Sequence, residues 1–348
     1  MKYDSPPRFG RLPVSILLHK KTFSITVALI LANLAALLVS TGLGDMYINP
    51  LDVVRTIFGK GTEDHTIVIH TLRLPRIIAA FLVGASLAAA GAILQGVIRN
   101  PLASPDIIGI TSGASVAAVA FITYFAGTVS IKWLPVAAMA GAGITSMIIY
   151  MLAWKKGVTP IRLVLIGIGM NFMLASLTKV MLVLSPITVA GEAYIWLTGT
   201  VYGTSWEMVW TMLPWTLFFI PLAILNARQV NVLQLGDEIA TGVGSSVGRQ
   251  RLLLVWISVA LAGSAVAVGG GIAFIGLIAP HMTRKMIGPS FGGVLPVSAL
   301  IGGLIVVVAD LIARTAFTPY DIPVGVFTAG VGAPFFIYLL YRNRNVRT

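Results

Sequence analysis

The chain has 348 residues, 57% of them hydrophobic and only 10% charged, with a mean hydropathy of +0.92. A soluble domain carries about 25% charged residues, so the composition excludes one, along with disorder, collagen-like repeats and secreted disulfide scaffolds. The net charge of +12 comes from 24 Lys and Arg against 12 Asp and Glu, without a groove-reading or base-stacking motif, so no nucleic acid is expected as a partner.

A membrane helix needs about 20 apolar residues, and ten apolar segments near that length or somewhat shorter follow one another: 23–43, 75–98, 106–126, 133–153, 161–185, 207–226, 252–268, 273–287, 293–313 and 322–341. Lys20 and Lys21 precede the first, as they would in a signal peptide. Its apolar run is too long for an h-region, and no small-residue cleavage site stands out between Ser40 and Gly44, so it reads as a retained helix. With both termini inside, seventeen basic residues lie on the inner side. They are Lys2, Arg8, Arg11, Lys20, Lys21, Arg99, Lys155, Lys156, Arg162, Arg228, Arg249, Arg251, Arg284, Lys285, Arg342, Arg344 and Arg347. Six lie outside (Arg55, Lys60, Arg73, Arg76, Lys132 and Arg314), and Lys179 falls within a span. The bias places both termini in the cytoplasm.

Small residues recur every fourth position along the second span, at Gly84, Ala88, Ala92 and Gly96, and in the last at Gly325, Ala329 and Ala333. Such stripes let helix backbones approach closely, so the chain reads as a compact bundle. Breaks rich in Gly and Pro follow the second span (Asn100 to Pro105) and the seventh (Gly269 to Gly271). Spans two to five and seven to ten have comparable lengths and start on opposite sides of the membrane, which predicts an inverted internal repeat.

Catalytic chemistry is not legible. There is no GxxxxGK[ST] phosphate loop, so the chain is not expected to hydrolyse ATP itself. Cysteine is absent, and among the four histidines (His19, His65, His70 and His281) only His65 and His70 are near one another, five apart and off a common helical face. No metal site is expected. The longest inner loop, 228–251, holds a short predicted helix followed by a Gly-rich turn, and Leu233, Leu235, Ile239 and Val243 offer apolar knobs that suit a docking helix better than a solvated connector. Outside, Arg73, Arg76 and Arg314 suit either headgroup anchoring or a docking surface for an acidic protein. Asp310 stands four residues before Arg314, a spacing that allows an intrahelical ion pair. Lys179, in the fifth span, either snorkels to the interface or lines a path for an anionic substrate.

These residues fall in an ordered set of motifs: Arg73-Leu74-Pro75-Arg76, Gly91-Ala92-Ile93-Leu94-Gln95, Arg99-Asn100-Pro101-Leu102-Ala103, Pro105-Asp106-Ile107-Ile108-Gly109-Ile110, Leu235-Gly236-Asp237-Glu238, Gly276-Leu277-Ile278-Ala279-Pro280-His281, Asp310 with Arg314, Pro323-Val324-Gly325-Val326 and Gly332-Ala333-Pro334. From about Ser24 to Tyr341 the chain resembles the FecCD family, the permease subunits of ABC importers for iron-siderophores, haem and cobalamin. The resemblance implies an all-α integral membrane protein, a single permease domain over 1–348 with a cytoplasmic arm at 1–22 and a coupling loop at 228–251. It implies about ten transmembrane helices in the type II ABC importer fold, in a bacterial inner or plasma membrane. The implied partners are a second permease subunit, identical or paralogous, two ATPase subunits that bind ATP and Mg, and an extracellular or periplasmic binding protein. No cofactor is implied in this chain, and no enzymatic activity.

By residue, Leu235, Gly236, Asp237, Glu238, Gly242 and Gly244 match the family's coupling helices. Arg73, Arg76 and Arg314 match outer arginines that meet acidic residues of the binding protein. Pro160, Ile161, Asn171 and Lys179 fall on the helix that lines the pathway. Where the cobalamin permease has small hydroxyl residues at its inner gate, this chain has Pro160 and Ile161 before Arg162. A ferric siderophore of hydroxamate or citrate type is therefore the expected cargo, with haem or cobalamin as the alternative. An ion-coupled secondary transporter would need intramembrane carboxylates as relays, and Asp310 is the one clear candidate; a membrane enzyme lacks a site.

Overall fold

Backbone crossing hydrocarbon must satisfy its hydrogen bonds internally, and each of the ten apolar segments does so as a helix. The computed structural model describes residues 20–125, 128–155 and 157–343. Most of the N-terminal arm, with Lys2, Arg8, Arg11 and His19, lies outside the described residues, as do Lys156, Arg344 and Arg347. The spans are α1 (Lys20–Gly42), α4 (Leu74–Ile98), α5 (Ile110–Tyr124), α6 (Leu134–Leu152), α7 (Pro160–Leu184), α9 (Trp206–Leu225), α12 (Val247–Gly269), α13 (Ile275–Ile287), α14 (Phe291–Thr315) and α15 (Val324–Asn343). Between them lie the shorter α2 (Pro50–Ile57), α3 (Glu63–Thr66), α8 (Ile187–Thr198), α10 (Ala227–Gln234) and α11 (Asp237–Gly242). Sequence periodicity did not separate α8 from its neighbours, because at 12 residues it is too short to register as a span.

The centre is α4. Its apolar residues run all the way round the helix, the pattern of a fully buried element, and nearly all of them are buried. It packs most extensively on α14 and α12 and also touches α13 and α9. The small-residue stripe makes this packing work. A Cβ at Gly84 would run into the carbonyl of Gly302, and one at Gly302 into that of Gly84. Gly91 stands against the Gly276 backbone in the same way, and Gly96 leaves room for Val230 of α10. The stripe expected in the last span differs. Gly325 and Gly332 are the buried, closely packed positions, with Thr328 between them, whereas Ala329 and Ala333 are only half-buried. Steps of three and four track a helical face better than strict fourths.

Two short helices break the regular pattern. The helix α5 has 15 residues and α13 has 13, fewer than a straight crossing needs. Each is preceded by a break in the α-helical backbone, a single 3-10 turn over Pro105–Ile108 before α5 and irregular chain before α13, that ends in a left-handed residue, Gly109 (φ 73°) and Phe274 (φ 69°). Gly167 of α7 packs on the carbonyl of Ile107 in the first break, and Gly332 of α15 packs on the Phe274 ring in the second. The breaks meet: a Cβ on Gly276 would sit 3.0 Å from the Pro105 ring and 2.9 Å from the Leu87 carbonyl. Matching break, left-handed residue and keyed glycine recur in α4–α7 and α12–α15, as an inverted repeat requires. An aromatic residue at positive φ carries strain, and Gly332 is the space that accommodates it.

By contrast, α7 is buried along a single stripe of Pro160, Leu163, Gly167, Leu174, Thr178 and Leu182. The rest of its surface faces outward, with Phe172 73% exposed. Substitutions separate the two kinds of glycine. Gly91→Val should prevent recovery of monodisperse protein in detergent, since overpacking costs about 1–3 kcal/mol even when a neighbour can yield and backbone cannot. Gly143→Ala in α6, where no atom lies within 4 Å of the added carbon, should leave the melting temperature unchanged or slightly raised; size-exclusion profiles and thermal melts read both.

Candidate functional site

At one end of the bundle the start of α4 is set by Pro75, which has no N–H to donate. The turns before it widen into a π-helix over Ile67–Arg73, and Leu74 N–H donates to the Ile69 carbonyl. Local widening of this kind often re-aims side chains at functional positions, and here it turns Arg73 toward the C-terminus of α1. Nη1 of Arg73 donates to the Thr41 carbonyl (2.7 Å) and Nη2 to the Met46 carbonyl (2.6 Å). Arg314, from the last turn of α14, donates to the Leu43 carbonyl (2.7 Å), the Ser40 carbonyl and the Ser40 hydroxyl. The last carbonyls of a helix have no intrahelical donor and carry negative partial charge. Two arginines therefore cap α1. Arg73 is only 8% exposed, so reversing its charge would test folding before it tested docking.

Arg76 is placed differently. Its Nε and Nη2 donate to Asp310 Oδ1 (2.9 and 2.8 Å), and its Nη1 and Nη2 to the two oxygens of Asp321 (2.5 and 2.9 Å). The Tyr202 ring lies 5.5 Å from its guanidinium carbon. Asp310 is fully buried, and its closest cation is Arg76 rather than Arg314, whose Nε stands 3.7 Å from Asp310 Oδ2. The expected i,i+4 pair is thus secondary to a bond between α4 and α14. A cleft of about 410 Å³ opens above this group, lined by Asp45, Arg76, Tyr202, Arg314, Tyr320 and Asp321 among others. Asp321 was not singled out in the sequence, since nothing local marks an acid whose partner is 245 residues away.

The opposite end carries α10 and α11. Val230 and Leu233 of α10 are buried against the bundle, and Asn231 Oδ1 accepts from Phe291 N–H at the start of α14 (3.0 Å). Leu233 is therefore core rather than an exposed knob. Leu235, Ile239 and Val243 are more than half exposed. Asp237 fastens α11 to the bundle, accepting from Arg251 Nη2 (2.8 Å) with Arg99 Nη2 at 3.4 Å. Arg251 is almost fully buried and also donates to the Val158 carbonyl, ahead of α7. Glu238, Gly242 and Gly244 are exposed, Gly236 is half-buried, and no atom lies near a Cβ built at Gly242 or Gly244. The result is a short helix fastened from behind, with exposed apolar side chains on it (Ile239) and immediately beside it (Leu235 and Val243).

The residues expected on the pathway do not form one group. Pro160 is buried at the start of α7, whereas Ile161 and Lys179 are exposed on its outward surface. Asn171 donates to the Asp106 carbonyl (2.6 Å) and accepts from the Ser112 hydroxyl (2.5 Å), so it braces the break before α5.

Comparison with known proteins identifies the family and the fold. The FecCD transport family matches residues 29–342. The chain is 46% identical over 332 residues to the Bacillus subtilis (strain 168) protein named Probable siderophore transport system permease protein YfhA, covering 94% of this chain and 97% of that one. It is 47% identical over 321 residues to the Achromobactin transport system permease protein CbrC of Dickeya dadantii (strain 3937), covering 92% of each. A solved chain of a metal-chelate type ABC transporter in an inward-facing conformation superposes with a TM-score of 0.81 at 27% identity, over 92% of this chain and 99% of that one.

Removing one partner of a buried ion pair typically costs about 3–5 kcal/mol, because the other charge is left uncompensated. Arg76→Ala should therefore lower the melting temperature of the purified protein sharply. Lys132→Ala, which breaks an exposed pair with Glu207 (2.8 Å), should shift it little. Adding Asp310→Asn to Arg76→Ala should restore part of the loss; differential scanning fluorimetry in detergent checks the ranking.

Proposed function

The chain belongs to the FecCD transport family, and we propose from that premise that it carries a ferric siderophore from an extracellular binding protein into the cytoplasm by alternating access. It is the permease of an ABC importer for iron-siderophores or metal chelates and not an enzyme. The observation that carries the finer reading is α11: a short helix, locked to the bundle by Asp237, Arg251 and Arg99, with Ile239 exposed on it and Leu235 and Val243 exposed just before and after it. Exposed apolar side chains on a rigid support suit a docking face.

In this reading the Asp237 end is cytoplasmic, as the charge bias predicts, and two ATPase subunits that bind ATP and Mg seat on α11 of this chain and of a second permease subunit. Closure of the ATPases pushes α11, and the push passes through Asp237 and Arg251 to α12 and to the segment ahead of α7. The binding protein docks at the Arg76 end, over the cleft that Arg76 and Arg314 line. Arg73, spent on carbonyls, supports that surface from beneath. The pathway runs along the outward face of α7, past Ile161 and Lys179, toward the partner subunit. Binding along it must be weak enough to release the cargo.

Ion-coupled transport is disfavoured by Asp310, the carboxylate such a mechanism would use, because Arg76 and Arg314 already hold it. Cobalamin is disfavoured as cargo by Pro160 and Ile161 at the expected gate.

Ile239→Asp with Val243→Asp should abolish co-purification of the ATPase and reduce iron-siderophore uptake at least tenfold, while membrane levels of the permease stay normal. Uptake at the wild-type rate with the double variant, or with the ATPase removed, would overturn the assignment.

A further inference from the structure

Arg76 has five N–H donors in a planar fork, and its two carboxylate partners differ in kind. Asp310 is fully buried in α14, whereas the side chain of Asp321 is 26% exposed and belongs to the loop joining α14 to α15. One partner is built into the bundle. The other is carried on a strap.

We propose that Asp321 is an internal stand-in for an acidic side chain of the binding protein, which displaces it from Arg76 on docking and so releases the α14–α15 loop. The proposal rests on the docking reading given above and concerns what happens at that surface. Its first support is charge. Arg76 already engages two carboxylates, Asp310 and Asp321, and Asp45 also lines the cleft, so a further one would bring like charges together. An incoming carboxylate therefore has to exchange with one already present, and the exposed one gives way. The cleft supplies the second support, since it opens on both Arg76 and Asp321 and is rimmed by exposed Tyr202 and Tyr320. A side chain from above reaches the guanidinium without moving a helix.

Exchange there has a direct mechanical consequence. Two residues after Asp321 the chain reaches Pro323 and then α15, and Gly325 N–H donates to the Gly199 carbonyl (2.9 Å) just beyond α8. Gly325 also packs against the Thr198 carbonyl. The strap thus leads straight to the contact between α8 and α15. Docking at the cleft loosens the tether at that contact, which links the presence of a binding protein to the side of the bundle where the two helices sit.

The test uses the whole transporter in lipid nanodiscs with its own binding protein. Asp321→Asn keeps the shape and removes the competing charge. The dissociation constant of the loaded binding protein should tighten about two- to fivefold, the upper part of the range expected for freeing one partly exposed ion pair, and Asp321→Glu should return it to the wild-type value. Glu207→Gln removes a negative charge from the same end without touching Arg76 and should change it less than twofold. Asp321→Asn should also raise hydrogen–deuterium exchange across residues 316–323 in the transporter without binding protein, because the strap has lost its tether to Arg76. Unchanged or weaker binding by Asp321→Asn, or exchange across the strap that stays at the wild-type rate, overturns the proposal. Failure of the wild-type transporter to bind the binding protein would instead overturn the docking reading beneath it.

Discussion

Lipid tails are as apolar as leucine, so burial in a bilayer supplies no hydrophobic drive for one helix to find another. What holds this bundle is backbone lying directly on backbone. Gly84 against Gly302 and Gly91 against Gly276 bring α4 within contact distance of α14 and of the start of α13. The other features are arranged around that axis. The breaks before α5 and α13 meet beside Gly91, Gly96 seats α10, and Arg76 at the top of α4 reaches Asp310 on α14. Dispersion contacts are individually small and fall away within an ångström, so each such glycine governs the position of everything its helix carries.

Polar groups occupy the two ends in different ways. At the Arg76 end the arginines serve the chain itself, capping α1 and joining α4 to α14 and to the loop beyond it. The charge expected on a receptor surface is thus largely neutralised within the fold. At the Asp237 end the charges lie beneath the surface, fixing α11 from behind, and the face that remains open is apolar. One end thus keeps its charges paired with each other around an open cleft, and the other keeps them underneath and leaves apolar side chains outermost.

Sequence and structure agree where the physics is local. Hydrocarbon thickness writes itself into the chain as apolar runs, seven of which form helices long enough to cross among the described residues, and the small-residue stripe of α4 and the breaks around Pro105 and Gly270 are local patterns of the same kind. The helix α8 was hidden by its length. Long-range pairing was hidden altogether. Arg73, Arg76 and Arg314 could be placed at helix ends, but nothing near them in sequence shows that Thr41, Met46, Ser40 and Leu43 carbonyls or Asp321 would engage them. Leu233 reads as a surface knob because its burial depends on α4 and α14, not on its own helix. Asn171 sits on the expected helix, yet its hydrogen bonds tie it to a different one.

The glycines keyed into the two breaks limit how this bundle can rearrange. Gly332 is the position on α15 that clears the Phe274 ring, and Gly167 is the one on α7 that clears the Ile107 carbonyl. Turning either helix about its own axis by one residue would swing a bulkier neighbour into that slot, Val331 or Ala333 in one case and Ile166 or Ile168 in the other. Turning on its own axis is therefore costly for each long helix while it stays notched to its break, so α7 is coupled to the start of α5 and α15 to the start of α13. The two notched breaks come together where Pro105 meets Gly276, against Leu87 and Gly91 of α4, which makes that point the common footing of both halves of the bundle.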